Sequence, residues 1–270
     1  MLDGKKIGFI GGGNMAEAII KGLLAGGVRS DSIMVAEPLP LRRDFLSSEY
    51  RAEVTDDNLD AARQADIVIL AIKPQMAASV LTALEPAISS DKLIISIMAG
   101  ISTTSIEATL TNGIRVVRAM PNTPALIRSA ATAICPGRKA SGEDLATAET
   151  IFAQVGIVVT VPEKQMDAVT ALSGSGPAYV YTFIEALSDA GVKNGLPRDV
   201  SAQLAVQTIL GAARMLGATG LHPAQLRENV TSPGGTTIAA MHALEKGCFR
   251  GTVIDAVDAA YRRAKELAGK

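Results

Sequence analysis

The sequence is poor in the residues that several kinds of site require. It contains no Trp, and aromatic side chains make up 3% of its 270 residues, so a platform for stacking nucleic-acid bases is not expected. Its 26 basic and 27 acidic residues nearly cancel, which leaves no net field to attract nucleic acid or an anionic membrane surface. We therefore predict that neither of these is a partner.

Cysteine and histidine are equally scarce. Cys135 and Cys248 form no CxxC pair, and His222 and His242 lack the spacing of metal ligands, so we predict neither a disulfide framework nor a metal site. We expect both cysteines to be small buried residues in a reducing compartment. The two histidines are expected at the surface or at helix ends.

Long hydrophobic runs are also missing. Hydrophobic residues make up 48% of the chain, as in ordinary globular proteins, but no run approaches membrane-spanning length. The first predicted strand follows the N-terminus directly, without a basic leader or an apolar signal segment. These features predict a cytoplasmic protein.

A glycine-rich turn between a strand and a helix is the most informative feature that the sequence does contain. Residues 7–10 form a short apolar run typical of a buried strand, and helical spacing begins soon after it. Residues 11–16 between them follow the pattern G-x-G-x-x-A, the fingerprint of a fold that holds a dinucleotide pyrophosphate at a helix N-terminus. A second strand, residues 33–36, ends at Glu37, where an acid that binds a ribose hydroxyl is expected. This order favours a cofactor site over a simple turn.

The choice between NADH and NADPH stays open at this point. Glu37 would repel a 2′-phosphate, whereas Arg42 and Arg43, in a helix expected at residues 41–48, could bind one. Both arginines could equally be solvated surface residues.

Strands and helices alternate as far as residue 161. A helix that follows Ala99 and Gly100 is expected to contain a capping box of Thr104 and Glu107, and two prolines are expected to exclude a helix at residues 121–124. The alternation predicts a Rossmann-type, doubly wound, mostly parallel α/β sheet over residues 1–162. Its further strands are expected to end at residue 54 and to lie at residues 66–72, 93–98, 115–120, 130–135 and 156–161.

The remainder, residues 163–270, contains helical periods broken by Gly and Pro and predicts a second, all-helical domain. Two of its segments, residues 179–187 and 200–216, are apolar on nearly every face. A domain of this size has little interior, so we expect these helices to pack against a partner subunit. A compact monomeric bundle is the alternative.

A second anion-binding motif occurs in this helical part, at residues 229–237. Ser232 or Thr231 can cap a helix there, Pro233 suits its first turn, and two glycines expose amides ahead of it. Such an arrangement suits a small carboxylate, although a capped helix start without a ligand has the same pattern.

Other reaction chemistries find little support. Ser175 lacks the outer glycines of a nucleophile elbow, and Lys73, directly after a predicted strand, could be a cofactor neighbour or a surface residue. A nicotinamide beside a carboxylate pocket implies hydride transfer. Ketone reduction usually needs a strong proton donor, whereas an imine nitrogen arrives protonated, so reduction of a C=N bond fits better.

Motifs of one enzyme family occur in five stretches, at residues 8–15, 71–75, 120–124, 172–179 and 229–237. On these stretches the chain resembles the pyrroline-5-carboxylate reductase family, and the resemblance covers essentially the whole chain. It implies hydride transfer from NADPH or NADH to C5 of the cyclic imine 1-pyrroline-5-carboxylate, which gives L-proline in the last step of proline biosynthesis. It also implies a homodimer formed through the helical domain, with further assembly into decamers in many members.

The resemblance also assigns site residues. The Thr237 hydroxyl matches the catalytic group beside the ring nitrogen, Asn58 is expected near the adenosine ribose, and residues 98–100 are expected near the nicotinamide. The implied substrate-binding residues are Ser232, Gly234, Gly235, Thr236 and Thr237. With Glu37 added, the candidate cofactor-binding residues are Ile10, Gly11, Gly12, Gly13, Asn14, Met15, Glu37, Asn58, Ala71, Ile72, Lys73, Pro74, Met98, Ala99 and Gly100. Members that prefer NADPH often carry Ser, Asn or Arg in place of Glu37.

Two other functions fit part of the pattern. A β-hydroxyacid-type dehydrogenase also joins a dinucleotide-binding domain to a helical one, but it relies on a catalytic Lys early in the helix after a glycine-rich turn. The helix after residues 174–177 has no Lys before Lys193, which disfavours this class. A dinucleotide sensor without catalysis would bind the cofactor and turn over no substrate.

Overall fold

One sheet of eight strands organises the first part of the chain. The computed structural model describes residues 2–111 and 113–269. The strands are β1 (Ile7–Ile10), β2 (Ile33–Ala36), β3 (Glu53–Thr55), β4 (Ile67–Leu70), β5 (Leu93–Ser96), β6 (Arg115–Met120), β7 (Ala130–Pro136) and β8 (Gly156–Thr160). They are arranged in the order β3-β2-β1-β4-β5-β6-β7-β8. Neighbouring strands are parallel except β6 and β7, which confirms the predicted mostly parallel sheet.

Helices connect the strands and form the part of the chain that follows β8. Those that precede β8 are α1 (Asn14–Ala25), α2 (Pro40–Tyr50), α3 (Asn58–Gln64), α4 (Ala77–Leu84), α5 (Thr103–Thr109) and α6 (Gly142–Ala153). Those that follow it are α7 (Met166–Val169), α8 (Gly176–Lys193), α9 (Arg198–Thr219), α10 (Pro223–Asn229), α11 (Thr236–Lys246) and α12 (Phe249–Leu267). The described residues after β8 contain no strand, so the prediction of helices there is confirmed.

The central strands are buried along their whole length. Every residue of β1, β4 and β5 is buried, as expected for apolar strands that helices cover on both faces. Phe9 belongs to one core with Ile19 and Phe152, whereas Ile10 belongs to a second core with Leu70. Because successive side chains of a strand point to opposite faces, these two cores fix β1 from both sides.

The carboxyl ends of the central strands carry the loops in which we predict the cofactor site. The N–H of Gly11 donates to the carbonyl of Ala36 at 2.8 Å, and the N–H of Ala71 donates to the carbonyl of Ile10 at 2.9 Å. These bonds continue the sheet pattern into the turns that follow β1 and β4. The strand order reverses between these two strands, and open α/β sheets bind ligands at such a point.

Two compact units make up the chain. Contacts group residues 1–175 with 260–270 in a first unit and residues 176–259 in a second unit. Among the described residues, no single helix has the length and apolar composition needed to cross a membrane. Only α9 and α10 taken together meet that criterion, and they are bent by 118° relative to each other.

The domain boundary that we predict between residues 162 and 163 stays a prediction. Residues 163–175 form short helical turns, the last of them the π-helical turn Thr170–Gly174, and they belong to the first unit. The outer limits of the predicted domains, residues 1 and 270, lie outside the described residues.

Two expectations about helix starts near β5 and β6 are wrong. The side chain that caps α5 is Ser102, which accepts from the N–H of Ser105 at 3.1 Å, so Thr104 and Glu107 form no capping box. Glu107 accepts from the N–H of Arg138 instead. A short 3₁₀ helix occupies Thr123–Ile127, because proline is tolerated in the first turn of a helix.

The prediction for the cysteines is half right. Cys135 is buried in β7, where burial, followed by the negative charge of Glu163, raises the pKa of its thiol to about 12. Cys248 is exposed, and its backbone has a positive φ of 53° between α11 and α12. Cys135 therefore behaves as a small core residue, and Cys248 does not.

A buried arginine is a feature that no sequence pattern indicated. Arg118 on β6 is 1% exposed, and its guanidinium lies 3.5 Å from a carboxylate oxygen of Glu163 and 3.8 Å from one of Asp167. Glu163 also accepts from the N–H of Thr103 at 2.6 Å. Because a buried charge is tolerated only when it is paired, this cluster ties β6 and α5 to the segment that follows β8.

Candidate active site

The glycine turn after β1 is shaped by a close approach of two main chains. Gly11 has φ of +96°, a conformation that residues with a side chain rarely adopt. A Cβ atom at this position would lie 2.7 Å from the carbonyl oxygen of Ala71, so no other residue fits without displacing the loop after β4. The first glycine of the fingerprint is therefore required by both its backbone angle and its neighbour.

The main chain of Gly12 is held on both sides of its Cα atom by side chains. Its N–H donates to Oε2 of Glu37 at 2.9 Å, and its carbonyl accepts from Nε of Arg42 at 2.6 Å. The second carboxylate oxygen of Glu37 accepts from the N–H of Leu39 at 3.0 Å, and Glu37 is 8% exposed. These bonds hold the turn from the side of β2 and fix the carboxylate of Glu37 beside it.

The residues after Gly12 present backbone amides outward. Gly13 is exposed, and a Cβ atom there would meet nothing within 4 Å. No side chain caps α1, and the first amides of a helix, here those of Asn14 and Met15, lack helical acceptors. Open space in front of such amides and the positive end of the helix dipole suit a phosphate group.

Arg42 is itself held by a carboxylate and a phenol. Its Nη2 lies 2.5 Å from Oε2 of Glu17, and the hydroxyl of Tyr50 donates to Oε1 of Glu17 at 2.8 Å. Burial alone would raise the pKa of Glu17, but the bonds from Arg42 and Tyr50 and the charge of Arg42 outweigh it and lower that pKa. Burial, followed by the bond to Glu17 and its charge, raises the pKa of Tyr50 to about 12.

Both arginines of α2 that we considered for a 2′-phosphate are therefore engaged. Arg42 binds Gly12 and Glu17, and Nη1 of Arg43 donates to the carbonyls of Glu37 at 2.7 Å and Pro38 at 3.0 Å. Neither is a freely solvated side chain, because about a fifth of each is exposed. Both side chains bind main-chain carbonyls and so stabilise the turn. Neither forms an ion pair with the carboxylate of Glu37, which keeps its negative charge at the expected ribose position.

A cleft of about 400 Å³ opens at the carboxyl edge of the sheet within the first unit. It contains most of the predicted cofactor residues, namely Gly13, Asn14, Met15, Ala71, Ile72, Lys73, Pro74, Met98 and Ala99. Ile10, Gly11 and Gly12 lie at the end of β1 directly before these residues, and Gly100 directly follows Ala99. Asn58 begins α3, at the end of β3, where the carbonyl of Thr55 accepts from the N–H of Glu37 at 2.9 Å.

The structure adds cleft residues that the sequence interpretation missed. They follow β5 and β6 or come from the π-helical turn, and they are Ile97, Met120, Pro121, Asn122, Thr123 and Gly174. The cleft residues within 120–124 could have been predicted from the sequence, because this stretch ends a predicted strand and is also a family motif. Gly174 also lies in a family motif, residues 172–179, but no pattern indicated that this segment, at least 51 residues farther along the chain than Thr123, reaches the cleft.

In the second unit, the predicted substrate residues share one loop and one helix start. Gly234 has φ of +66°, and Gly235 is the N-cap of α11 with its N–H donating to the carbonyl of Ser232 at 3.1 Å. No side chain caps this helix, so the first-turn amides at Thr236 and Thr237 lack helical acceptors. Thr237 is half-buried, and the other predicted residues, Ser232, Gly234, Gly235 and Thr236, are exposed or partly exposed.

The capping that we predicted for this loop is wrong. Thr231 donates its hydroxyl to the carbonyl of Arg227 at 2.7 Å, Ser232 does not cap the helix, and Pro233 lies before the helix rather than in its first turn. His222 caps α10 through Nδ1, which accepts from the N–H of Ala224 at 3.2 Å, as expected of a helix-end residue. Within residues 2–111 and 113–269, no group of three or more His, Cys, Asp or Glu side chains could hold a metal ion.

A doubly wound sheet with a glycine turn, a buried acid after β2 and a cleft at the point of strand reversal defines a nicotinamide-dinucleotide oxidoreductase. Comparison with protein-family models agrees. Residues 6–100 match the model described as NADP oxidoreductase coenzyme F420-dependent, and residues 163–267 match the model described as pyrroline-5-carboxylate reductase dimerisation.

Comparison with individual proteins is more specific. The chain is 48% identical to pyrroline-5-carboxylate reductase of Synechocystis over 98% of this chain and 99% of that one. It also resembles solved structures of pyrroline-5-carboxylate reductase from Coxiella burnetii (42% identity, TM-score 0.93, 98% of both chains). A Plasmodium falciparum pyrroline carboxylate reductase with NADP bound matches at 36% identity and TM-score 0.89, over 98% of this chain and 99% of that one. The chain belongs to the pyrroline-5-carboxylate reductase family and carries its dimerisation domain.

Cofactor preference gives a first prediction. The variant Glu37→Ser removes the negative charge beside the expected ribose, so the ratio of kcat/KM with NADPH to kcat/KM with NADH should rise at least about tenfold, or about 1.4 kcal/mol. Steady-state kinetics with both cofactors measure this ratio. Glu49→Ser makes the same change of charge at an exposed position of α2 and should leave the ratio unaltered. Equal ratios in both variants would show that Glu37 does not face the ribose.

Proposed function

We propose that this protein reduces 1-pyrroline-5-carboxylate to L-proline by hydride transfer from NADPH or NADH to C5 of the ring. The observation that supports the proposal is the presence of two glycine-preceded helix starts without a side-chain cap, one in each unit, in a chain of this family. One suits a pyrophosphate and the other a small carboxylate. The reaction needs both ligands.

The first of these sites holds the cofactor in our proposal. The amides of Asn14 and Met15 would bind the pyrophosphate, and Glu37 would accept from a ribose hydroxyl. The nicotinamide would occupy the cleft beside Ala71 and Met98. When bound, the reduced cofactor supplies the hydride. The lining of the cleft is mostly apolar, and Lys73 is its one charged residue among those described.

The second site holds the substrate carboxylate. The amides of Thr236 and Thr237 begin an 11-residue helix, whose dipole favours a negative charge at this end. The amide of Gly235, which the family resemblance also implies as a donor, bonds the carbonyl of Ser232 in this structure. A carboxylate bound here would need no arginine. The hydroxyl of Thr237 would then lie beside the ring nitrogen, where it can orient the N–H of the protonated imine.

Reduction of a protonated imine requires no strong acid from the protein. The imine nitrogen is basic enough to arrive protonated, and C5 then accepts the hydride with its electron pair while the C=N π electrons become the nitrogen lone pair. No further proton donor is needed at the moment of transfer. This requirement agrees with a site that offers hydroxyls and amides rather than a histidine or a lysine acid.

We also propose that the protein is a cytoplasmic homodimer formed through the helical domain, and that dimers can assemble into decamers. Apolar side chains on α9 support a partner surface, since Leu204 is 54% exposed and Met215 is 57% exposed. Val200, Val206 and Leu210 on the same helix are exposed as well, and contiguous exposed apolar surface marks interaction sites.

The activity itself is the direct test. Purified protein supplied with 1-pyrroline-5-carboxylate should oxidise NADH or NADPH and release L-proline, followed by nicotinamide absorbance and by amino-acid analysis. Binding of either cofactor without turnover would instead identify a dinucleotide sensor. If the protein bound neither NADH nor NADPH, both the reductase hypothesis and the sensor hypothesis would be wrong.

Thr237 provides a residue-level prediction. The variant Thr237→Ala should lower kcat roughly 10²-fold with folding intact, because a positioned group that handles the ring nitrogen is lost. Thr237→Ser keeps the hydroxyl and should recover most of the rate. As a matched control, Thr147→Ala removes a half-buried helical threonine whose hydroxyl donates to the main-chain carbonyl of Glu143, and it should leave kcat unaltered. Wild-type turnover in Thr237→Ala would show that the ring nitrogen needs no help from this side chain.

The molecular mass in solution tests the assembly. Light scattering should give at least two chains of 27.9 kDa each, and ten for the decamer. Charged substitutions such as Leu204→Glu and Met215→Glu should reduce that mass. A monomer that is fully active would contradict the proposed dimer.

A further inference from the structure

The stretch after β6, residues 120–124, belongs to the cleft without a role in the proposal so far. Its Asn122 is 9% exposed and stands at the carboxyl end of β6, among the residues that line the cleft. A buried carboxamide must find partners for its donors and its acceptor. The partners it finds here are all main-chain groups.

Asn122 joins two separate segments of the first unit. Its Nδ2 donates to the carbonyl of Ser173 at 3.0 Å, and its Oδ1 accepts from the N–H of Ala131 at 2.9 Å. Ser173 lies in the π-helical turn Thr170–Gly174, and Ala131 lies in β7. The carboxamide therefore fixes the position of the π-helical turn relative to the sheet edge.

The turn held in this way forms one wall of the cleft. Gly174 follows Ser173 directly and lines the cleft, and a Cβ atom at Gly174 would lie 2.8 Å from Cε of Met120. The wall thus packs against the side chain of Met120 at the end of β6. Turns of π-helical form are costly and occur often at functional sites.

We propose that Asn122 is a positioning residue for hydride transfer. It holds the main chain of Ser173 and Gly174 against Met120, so that the cleft wall keeps the nicotinamide ring in place. The inference rests on the proposed function only in assigning the nicotinamide to this cleft. Small displacements of a reacting group can cost about 10²-fold in rate, so loss of this bond should affect catalysis more than stability.

The variant Asn122→Asp tests the inference, because it has the same shape and keeps the acceptor for Ala131. Its ionised carboxylate cannot donate to the carbonyl of Ser173, whereas its protonated carboxyl can. Burial and the nearby carbonyl oxygen should raise the pKa of the introduced group above the ordinary value of about 3.9. The lost bond should therefore return as the pH falls through that raised pKa.

The expected result is a defect that depends on pH. At pH of about 8.5, kcat/KM should be at least about tenfold below that of wild type, and the dissociation constant for NADH, measured by its fluorescence, should rise. The ratio of variant to wild-type kcat/KM should climb as the pH is lowered, while Tm at alkaline pH falls by only a few degrees. The NADH measurement does not involve the imine, so it separates failure of this inference from failure of the proposed substrate.

Two further variants complete the design. Asn122→Ala removes both bonds and should show a defect that does not change with pH relative to wild type, and it replaces the first variant if that one does not fold. Asn194→Asp removes a matched bond, from an exposed carboxamide to the carbonyl of Ala190 at 2.7 Å, and should leave kcat/KM and NADH binding unaltered. Wild-type kinetics in Asn122→Asp at alkaline pH, or NADH binding unaltered in Asn122→Ala, would overturn the inference.

Discussion

The main chain of one residue, Gly12, determines how the rest of the proposed cofactor site is arranged. Glu37 binds its N–H and Arg42 binds its carbonyl, so the glycine turn is clamped from the side of β2. The next amides, at Asn14 and Met15, have neither a side-chain cap nor helical acceptors. Without the two side chains, a turn of three consecutive glycines would have many conformations of similar energy, and binding a pyrophosphate would require ordering it each time.

The same clamp links the shape of the turn to the choice of cofactor. Glu37 is 8% exposed and accepts two main-chain N–H bonds, so its charge is compensated in the protein and its position is fixed. A fixed carboxylate beside the ribose favours a hydroxyl and disfavours a phosphate. The arginines that could have bound a 2′-phosphate serve this arrangement instead, with Arg42 held by Glu17 and Tyr50. Glu37 therefore both stabilises the glycine turn and is expected to determine which cofactor binds.

The sequence allowed much of the fold to be predicted, because its signals are local. Apolar runs mark β1, β4 and β5, the glycine spacing marks the turn at Gly11, and the loss of strand patterns after residue 162 marks the helical part. The sequence could not indicate which distant segments are in contact. Arg42 reaches Gly12 across 30 residues, and Asn122 reaches Ser173 across 51, and no periodicity connects such pairs. The start of α11 was misplaced for a related reason, since Gly235 caps it without a polar side chain.

These observations describe a site in which most side chains act through the main chain rather than on the ligand. Glu37, Arg42 and Asn122 each bind backbone groups and thereby set where amides and cleft walls lie. The most direct test is a crystal structure of the protein with NADH bound. The account predicts pyrophosphate oxygens about 2.7–3.2 Å from the amides of Asn14 and Met15, with Glu37 still bound to Gly12. A pyrophosphate placed away from residues 11–15, or a Glu37 carboxylate released from Gly12, would contradict it.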